Sequence, residues 1–303
     1  MSWNAKSAAA ELAESGVADV VVVVGPTASG KSELALELAD LIGGEIVSAD
    51  SVQVYRHFDI GSSKPTAKER GRVAHHVIDV VDPNEPIDAA AYAALADGAM
   101  ADVRARGRLP IVCGGSFLWV RALLFGLAGA PPADASVRAR HLAWAQVEGR
   151  PALHARLREV DAESAARLSP NDFVRVSRAL EVFELSGRPL SSFQAAHGFR
   201  QPRHAARLVG VRWTPEELLR RIEARTRCLL ESGLVAEVER LVALGYRDAR
   251  AMGSVGYRQV VDRLEGRLSE ADLAPAIDRA TKVFARRQRT WLRDEDIRWI
   301  DPA

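Results

Sequence analysis

Cysteine is nearly missing from this 303-residue sequence: Cys113 and Cys228 lie far apart, with no C-x-x-C spacing. That excludes a disulfide framework and a zinc knuckle and leaves two buried thiols as the expectation. Long apolar runs are missing as well. Val20–Val24, the longest aliphatic run near the N-terminus, is far too short to span a bilayer, and no basic-then-apolar leader precedes it. A cytoplasmic protein without membrane contact is expected. Charge of one sign is also missing. The formal net charge is +1, which argues against coating of nucleic acid by bulk electrostatics and allows only a local patch. No repeat or low-complexity tract breaks the chain. Hydrophobic residues make up 48% of it, enough at this length to bury a full core and to divide into two lobes.

The run Val20–Val24 reads as a strand buried on both faces, and SELALELADLIGG after it as a helix ending at Gly43 and Gly44. EIVSAD, 45–50, is a second short strand with a carboxylate at its C-terminal end. HVIDVVDP, 76–83, is a candidate third strand, 89–106 has helical composition, and LPIVCGG, 109–115, is another buried strand closed by a glycine pair. Strands alternating with helices predict a parallel sheet wrapped by helices, with ligands at the carboxyl ends of the strands. After Gly126 the character changes. GLAGAPPADAS is a Gly/Ala/Pro connection, and 137–187 is helical and rich in Arg and Ala with no candidate strand. LVGVRWTP, 208–215, resumes the sheet. The expected organisation is an α/β core over 1–130 and 204–303, with an all-helical insertion over 131–203.

GPTASGKS places Gly25, Pro26, Thr27, Ala28, Ser29, Gly30, Lys31 and Ser32 in the pattern G-x-x-x-x-G-K-[ST], between a buried strand and a helix. Glycines let the backbone curl so that N–H groups converge on phosphate oxygens. The helix N-terminus adds its positive end, Lys31 a point charge, and the Ser32 hydroxyl a ligand for Mg²⁺. The loop alone does not name its substrate. Most such loops bind ATP or GTP, so a small-metabolite kinase is the default, and an RNA-binding module that senses a nucleotide is a second alternative. Against the kinase, no hhhhD segment supplies a metal-binding aspartate, since LPIVCGG ends in glycines.

SADSVQVY puts Asp50 at the end of a strand, beside the loop, as a Mg²⁺ ligand or a general base; a turn cap is the bland alternative. Gln53, three residues on, carries an amide able to read a base edge by paired hydrogen bonds. His75 and His76 would point to opposite faces of a strand, so they are read as structural rather than as a metal pair. Between 276 and 293, six basic residues (Arg279, Lys282, Arg286, Arg287, Arg289 and Arg293) accompany one acid, Asp278. Lys282, Arg286, Arg289 and Arg293 follow i, i+4, i+7, i+11 spacing, so a helix displays them as one stripe. From this segment alone, an anion-binding face and a plain solvated face are equally supported.

Taken in order, GPTASGKS, DSVQVY, IGSSKP, HHVIDV, GGSFLWVRAL, NDFVRVSRALEVFELSG, VGYRQ and RRQRTWLR resemble the bacterial tRNA dimethylallyltransferases, over nearly the whole chain. The resemblance implies a P-loop NTPase-like α/β fold with a helical insertion that binds the tRNA anticodon arm. It implies a monomer that uses Mg²⁺ and transfers a dimethylallyl group from dimethylallyl diphosphate to an adenosine beside the anticodon. Gly25 to Ser32 then cradle the diphosphate, with ATP as another possible occupant. Asp50 is the general base, Thr27 a positioning group, and Arg121 lies near the diphosphate. Asp50, Ser51, Val52, Gln53, Ser116, Arg138, Val174, Arg175, Val176, Ser177 and Arg178 contact the tRNA, and Ser32 ligates the metal. Trp119 stands where the family more often has Tyr, and Ser116 where it has Thr. An adenine amine is a poor nucleophile buried in a base stack. The reaction therefore implies base flipping, a base to take the proton, and countercharge for the leaving diphosphate.

Overall fold

A computed structural model describes Ala9, residues 19–293 and residues 295–300. The chain forms two compact units, one of Met1–Leu124 with Pro202–Ala303 and the other of Phe125–Gln201. The first holds one six-stranded sheet made of β1 (Val20–Val24), β2 (Gly44–Ser48), β3 (His75–His76), β4 (Leu109–Gly114), β5 (Ala206–Val211) and β6 (Ile297–Ile300). Their spatial order is β3-β2-β4-β1-β5-β6, and every neighbouring pair is parallel. All five valines of β1 are buried, as an unbroken apolar strand requires when helices cover both faces.

In chain order the helices are α1 (Lys31–Ile42), α2 (Ala67–Arg72), α3 (Ala89–Ala105) and α4 (Phe117–Phe125). The second unit holds α5 (Ala135–Val147), α6 (Arg150–Val160), α7 (Ala162–Arg167), α8 (Phe173–Ser186) and α9 (Leu190–His197). The first unit resumes with α10 (Pro215–Glu231), α11 (Leu234–Ala243), α12 (Tyr257–Leu264) and α13 (Glu270–Leu292). α1 stops at Gly43, which takes the left-handed conformation (φ 67°) and returns its N–H to the Ala39 carbonyl. Leu34, Leu38, Ile46, Ile111, Val209 and Cys113 join the valines in the core between α1 and the sheet. Each fully buried aliphatic side chain there contributes roughly 1.5–3 kcal/mol.

Register brings the chemistry together. Val24 pairs with Gly114, and Ser48 with Cys113, so β1, β2 and β4 end on one edge of the sheet. The phosphate loop, Asp50 and the Gly114-Gly115 pair leave from that edge. Because β4 lies between β1 and β2, its end must be slim. A Cβ at Gly114 would sit 2.2 Å from the Ala49 carbonyl oxygen.

Two expectations are corrected. The third strand is His75–His76 alone, pairing with Ile46 and Val47. Val77 (φ 59°) and Asp79 (φ 61°) turn left-handed and end it, and Val81 returns only as an isolated bridge to Tyr55. Of the two thiols, Cys113 is buried but Cys228 is exposed. The histidines are structural: His76 Nε2 meets Glu45 at 2.7 Å and His75 Nδ1 meets the Val73 carbonyl at 2.8 Å. No helix among the described residues is long and apolar enough to cross a membrane.

The second unit, Phe125–Gln201, is helical throughout its regular structure, against an expected insertion over 131–203. Its core is Leu153, Leu157, Ala165, Val176, Ala179 and Leu180. Aspartates cap three of its helices, α5, α7 and α8. Asp134 accepts from the Ser136 and Val137 N–H groups, and Asp161 from those of Ser164 and Ser191.

Candidate active site

The phosphate loop is built so that its free donors face one place. Pro26 has no N–H, that of Thr27 donates to Gln288 Oε1 (2.8 Å), and that of Ser29 donates to the Pro26 carbonyl (3.2 Å). The N–H groups of Ala28, Gly30, Lys31 and Ser32 have no acceptor among the described residues. Ala28 (φ 64°) and Gly30 (φ 85°) are left-handed, the alternation that folds successive N–H groups into an anion-binding nest. Left-handed backbone at an alanine is strained. The loop is held there from outside: Arg221 Nε donates to the Ala28 carbonyl (2.7 Å) and Trp213 Nε1 to the Ser29 carbonyl (2.8 Å). Gln288 also donates from Nε2 to Gly115 (3.1 Å), tying the loop to the end of β4. Ser29 is fully buried, and with its N–H on the Pro26 carbonyl and its carbonyl on Trp213 it shapes the loop rather than meeting a ligand.

Two cavities meet at the loop. One, about 770 Å³, is lined by Gly30, Lys31, Ser32, Cys113 and Cys228 among others. The other, about 690 Å³, is lined by Ser51, Val52, Ser116, the 253–256 turn and the α13 residues Phe284, Arg287 and Gln288. Thr27, Asp50, Ser62 and Arg225 line both. Asp50 Oδ1 accepts from the Val52 N–H (2.8 Å) and the Gln53 N–H (3.2 Å), so the turn-capping role is real. Oδ2 makes no hydrogen bond among the described residues, and that oxygen remains for chemistry. Ser116 Oγ accepts from the Ser51 N–H (3.0 Å) and holds the same turn.

Arg225, on α10, has neither an ion-pair partner nor a hydrogen bond among the described residues. Burial pushes its guanidinium below the ordinary value, opposed by the charge of Asp50. Burial likewise lowers the Lys31 ammonium, Arg225 adds to the effect, and Cys113 and Asp50 oppose it. Two cations crowded in a partly desolvated site call for an anion between them. The Cys113 thiol is pushed up to about 11 by burial, which keeps it protonated and unreactive near neutral pH.

Some expected contacts are placed elsewhere. The Gln53 amide is already engaged, accepting from Ser48 Oγ (2.9 Å) and donating to the Ser62 and Ser63 carbonyls (3.1 Å each). It fastens the IGSSKP loop, with both Nε2 hydrogens engaged and one acceptor position of Oε1 left. Arg121 lines neither cavity: its Nε donates to Glu295 (3.0 Å) and its guanidinium lies over Trp291. Trp119 is buried and stacked on Tyr92 at 4.4 Å.

In the helical unit, Val174 and Arg175 are exposed, with Arg175 Nε on Asp172 (2.6 Å). Val176 and Ser177 are buried, and the Ser177 hydroxyl meets His141 Nδ1 at 2.9 Å. The helical period that exposes Val174 turns these two inward, so they support the surface rather than form it. Arg138 Nε (2.9 Å) and Arg178 Nη1 (2.5 Å) both close on Glu181, whose side chain is fully buried.

Sequence reading missed Arg225, Gln288 and Glu237. The Glu237 carboxylate is buried and accepts from the N–H groups of Asp59 (3.2 Å), Ile60 (2.7 Å) and Gly61 (3.2 Å) and from the Tyr257 hydroxyl (2.7 Å). It pins the loop that Gln53 holds from the other side. A signal for Gln288 did exist: it falls on the buried stripe Ile277, Thr281, Ala285, Gln288, Leu292 of α13, where an amide is out of place unless bonded.

Comparison with known proteins gives concordant matches. The IPP transferase family model matches residues 53–295, and the isopentenyl transferase model matches residues 18–82. The tRNA dimethylallyltransferase of Sorangium cellulosum is 63% identical over 282 residues, covering 93% of this chain and 90% of that protein. That of Geobacter metallireducens is 47% identical over 284 residues, covering 93% and 92%. The crystal structure of the full-length tRNA isopentenylpyrophosphate transferase of Bacillus halodurans superposes with a TM-score of 0.67 at 34% identity, covering 93% of this chain and 89% of that one.

Proposed function

The chain belongs to the IPP transferase family, and from that premise we propose that it transfers a dimethylallyl group from dimethylallyl diphosphate to tRNA. The acceptor is the exocyclic amine of the adenosine 3′ to the anticodon. The observation that carries this reading is the shared wall: Asp50 and the unpartnered Arg225 belong both to the phosphate-loop cavity and to the cavity beside it. A donor and an acceptor entering from different cavities would meet at one carboxylate.

The diphosphate would rest on the N–H groups of Ala28, Gly30, Lys31 and Ser32, with Lys31 and Arg225 as countercharge. The flipped adenine would enter past Ser51, Val52 and Ser116. As the amine nitrogen bonds to the allylic carbon, the carbon–oxygen bond to diphosphate breaks. Asp50 Oδ2 takes the proton the nitrogen sheds, and the departing negative charge falls on the nest, Lys31 and Arg225. Thr27, anchored through Gln288, positions the two substrates.

The donor set suits Mg²⁺. Among the described residues no cluster of three or more His, Cys, Asp or Glu side chains could cage a metal. A hard cation held by the Ser32 hydroxyl, diphosphate oxygens and water fits such a site. When bound it would supply positive charge to the leaving diphosphate. The loop also suits nucleotide phosphates, so ATP would compete for it.

In the helical unit, Val174, Arg175, Arg138 and Arg178 form the face offered to the anticodon arm, backed by Val176 and Ser177. A single-stranded loop whose bases can be splayed suits such recognition. We place the enzyme in the cytoplasm as a monomer. The test is incubation with Mg²⁺, dimethylallyl diphosphate and an unmodified anticodon stem-loop, followed by mass spectrometry of the RNA. Gain of one C5H8 unit on that adenosine is expected. An unmodified RNA with ATP consumed on a small acceptor would sink the reading.

A further inference from the structure

The sheet unit buries a carboxylate that the proposed chemistry does not use. Glu237 lies on the buried stripe Leu234, Glu237, Val238, Leu241 of α11, and its side chain is 1% exposed. Its ion-pair partner, Arg240, stands at 4.0 Å and is itself 57% exposed, so hydrogen-bond donors take the place of a close counter-ion. Oε2 accepts from the Asp59 and Ile60 N–H groups, and Oε1 from the Gly61 N–H and the Tyr257 hydroxyl. The four lone-pair positions of the carboxylate are thereby filled. Burial, with the Glu237 charge adding to it, pushes the Tyr257 phenol far above its ordinary value, so it stays protonated and donates; a hydrogen bond from the Ser62 N–H opposes this.

Position gives this network a use. Gly61 and Ser62 line the cavity through which the adenine would enter, and so does the 253–256 turn that leads into Tyr257. Glu237 and Tyr257 therefore join two segments of one wall that lie far apart in the chain. The join is tight: a Cβ at Gly61 would meet the Tyr257 ring at 2.5 Å, and the Phe58 ring packs on the same tyrosine with centroids 4.9 Å apart. Ser62 also belongs to the phosphate-loop cavity, together with Thr27, Asp50 and Arg225. A shift of this loop reaches the place where donor and acceptor meet. For the fold alone an apolar plug would serve, since replacing buried charge by well-packed apolar side chains is often neutral or stabilising. Directed hydrogen bonds fix a position that apolar packing leaves free to slide.

We propose that Glu237 and Tyr257 are positioning residues for the acceptor: by clamping Gly61 and Ser62 to the 253–256 turn they set the gap that receives the flipped adenine, and with it the approach of the amine to the donor carbon. The inference rests on the transfer reaction proposed above and adds that this pair governs acceptor placement and not donor binding. A misplacement of about 1 Å in such a reaction costs about 10²-fold in rate.

Tyr257→Phe removes the hydroxyl and keeps the ring against Phe58 and Gly61, and Glu237→Gln keeps the shape but turns an amide NH₂ toward backbone donors. Both full-length variants are assayed well below their melting temperatures, where a merely looser fold would give the parental rate. Single-turnover transfer to an anticodon stem-loop at saturating donor should fall by about 10–100-fold. The dissociation constant for inorganic diphosphate, from calorimetry, should stay within about twofold of the parent. A stem-loop carrying 2-aminopurine in place of the target adenosine reads insertion without chemistry: its fluorescence should rise when the parent binds it and rise less at saturating concentrations of either variant. Parental rate and parental fluorescence in Tyr257→Phe would overturn the proposal. So would a diphosphate affinity that falls in step with the rate, the behaviour of a general support for the site. Prenyl transfer by the unsubstituted protein is scored separately. A parent that inserts the base and transfers nothing, beside variants that fail to insert it, would sink the transfer reading and keep the clamp.

Discussion

In the helical unit, Arg138 and Arg178 close on the buried carboxylate of Glu181, Arg140 on Glu184 and Arg175 on Asp172. In the sheet unit, Arg225, Arg286, Arg289 and Arg293 line cavities with no carboxylate partner among the described residues. The residue type is the same and the use is different. A guanidinium closed on an acid has spent its charge on the fold. One left open in a desolvated wall, as Arg225 is, costs stability until a ligand supplies the missing charge, whereas the exposed Arg286, Arg289 and Arg293 keep their solvation. Counting arginines therefore says little about where an anion binds. What matters is which arginines the fold has already used.

Asp50 contains both cases in one side chain, since Oδ1 serves the turn and Oδ2 has no partner. Asp50→Asn keeps an acceptor for the Val52 and Gln53 N–H groups and removes the base. Single-turnover prenyl transfer should fall by about 10²–10⁴-fold, with tRNA affinity retained. Turnover within a few-fold of the parent would mean that Oδ2 is not the base. Arg225→Met should raise the dissociation constant for diphosphate by about 10–100-fold. The ligand-free protein should melt no lower than the parent, because a desolvated unpaired charge has gone; a clearly lower melting temperature would show that Arg225 belongs to the fold after all. Glu181→Gln probes the opposite side of the comparison. It should destabilise the protein by about 1–3 kcal/mol in urea unfolding and, by freeing Arg138 and Arg178 for phosphate, raise tRNA affinity several-fold. Unchanged tRNA affinity would show that these two arginines serve the fold alone and are not part of the tRNA face.

The smallest effect concerns a charge fully spent on the fold. Hydrogen bonds from Arg106, then His76, hold the Glu45 carboxyl down to about 2, against an ordinary value of 4.5 and against the opposing effect of burial. A depressed carboxyl stabilises the fold above its unfolded value and loses that contribution as pH falls toward the folded one. Urea midpoints should therefore fall between pH 5 and pH 3, and less steeply in Glu45→Gln. Equal slopes would remove Glu45 from the account.

Much of this was legible in the chain and some was not, for reasons of distance. The phosphate loop, β1 and the carboxylate after β2 announce themselves locally, through glycine spacing, an apolar run and a strand end. The parallel sheet follows from strand–helix alternation. By contrast, Gln288 reaches Thr27 across 261 residues and Glu237 reaches Gly61 across 176, and no local pattern encodes such pairings. The left-handed turns at Val77 and Asp79 cut short a strand that the apolar pattern prolonged. β6 lies beyond the last motif, RRQRTWLR, in four residues with no signal of their own. A matching block showed where Val174 to Arg178 belong in the chain, but only the helical period separated the exposed Val174 from the buried Val176.

The glycine pair that ends β4 also limits what can stand beside Asp50. A Cβ at Gly114 would meet the Ala49 carbonyl at 2.2 Å, and one at Gly115 would meet Gln288 Nε2 at 2.3 Å. A side chain at Gly114 would have to displace the backbone that carries Asp50, and one at Gly115 the amide that anchors Thr27. At the end of β4 the fold thus excludes a side chain beside Asp50, while the phosphate loop next to it is kept whole.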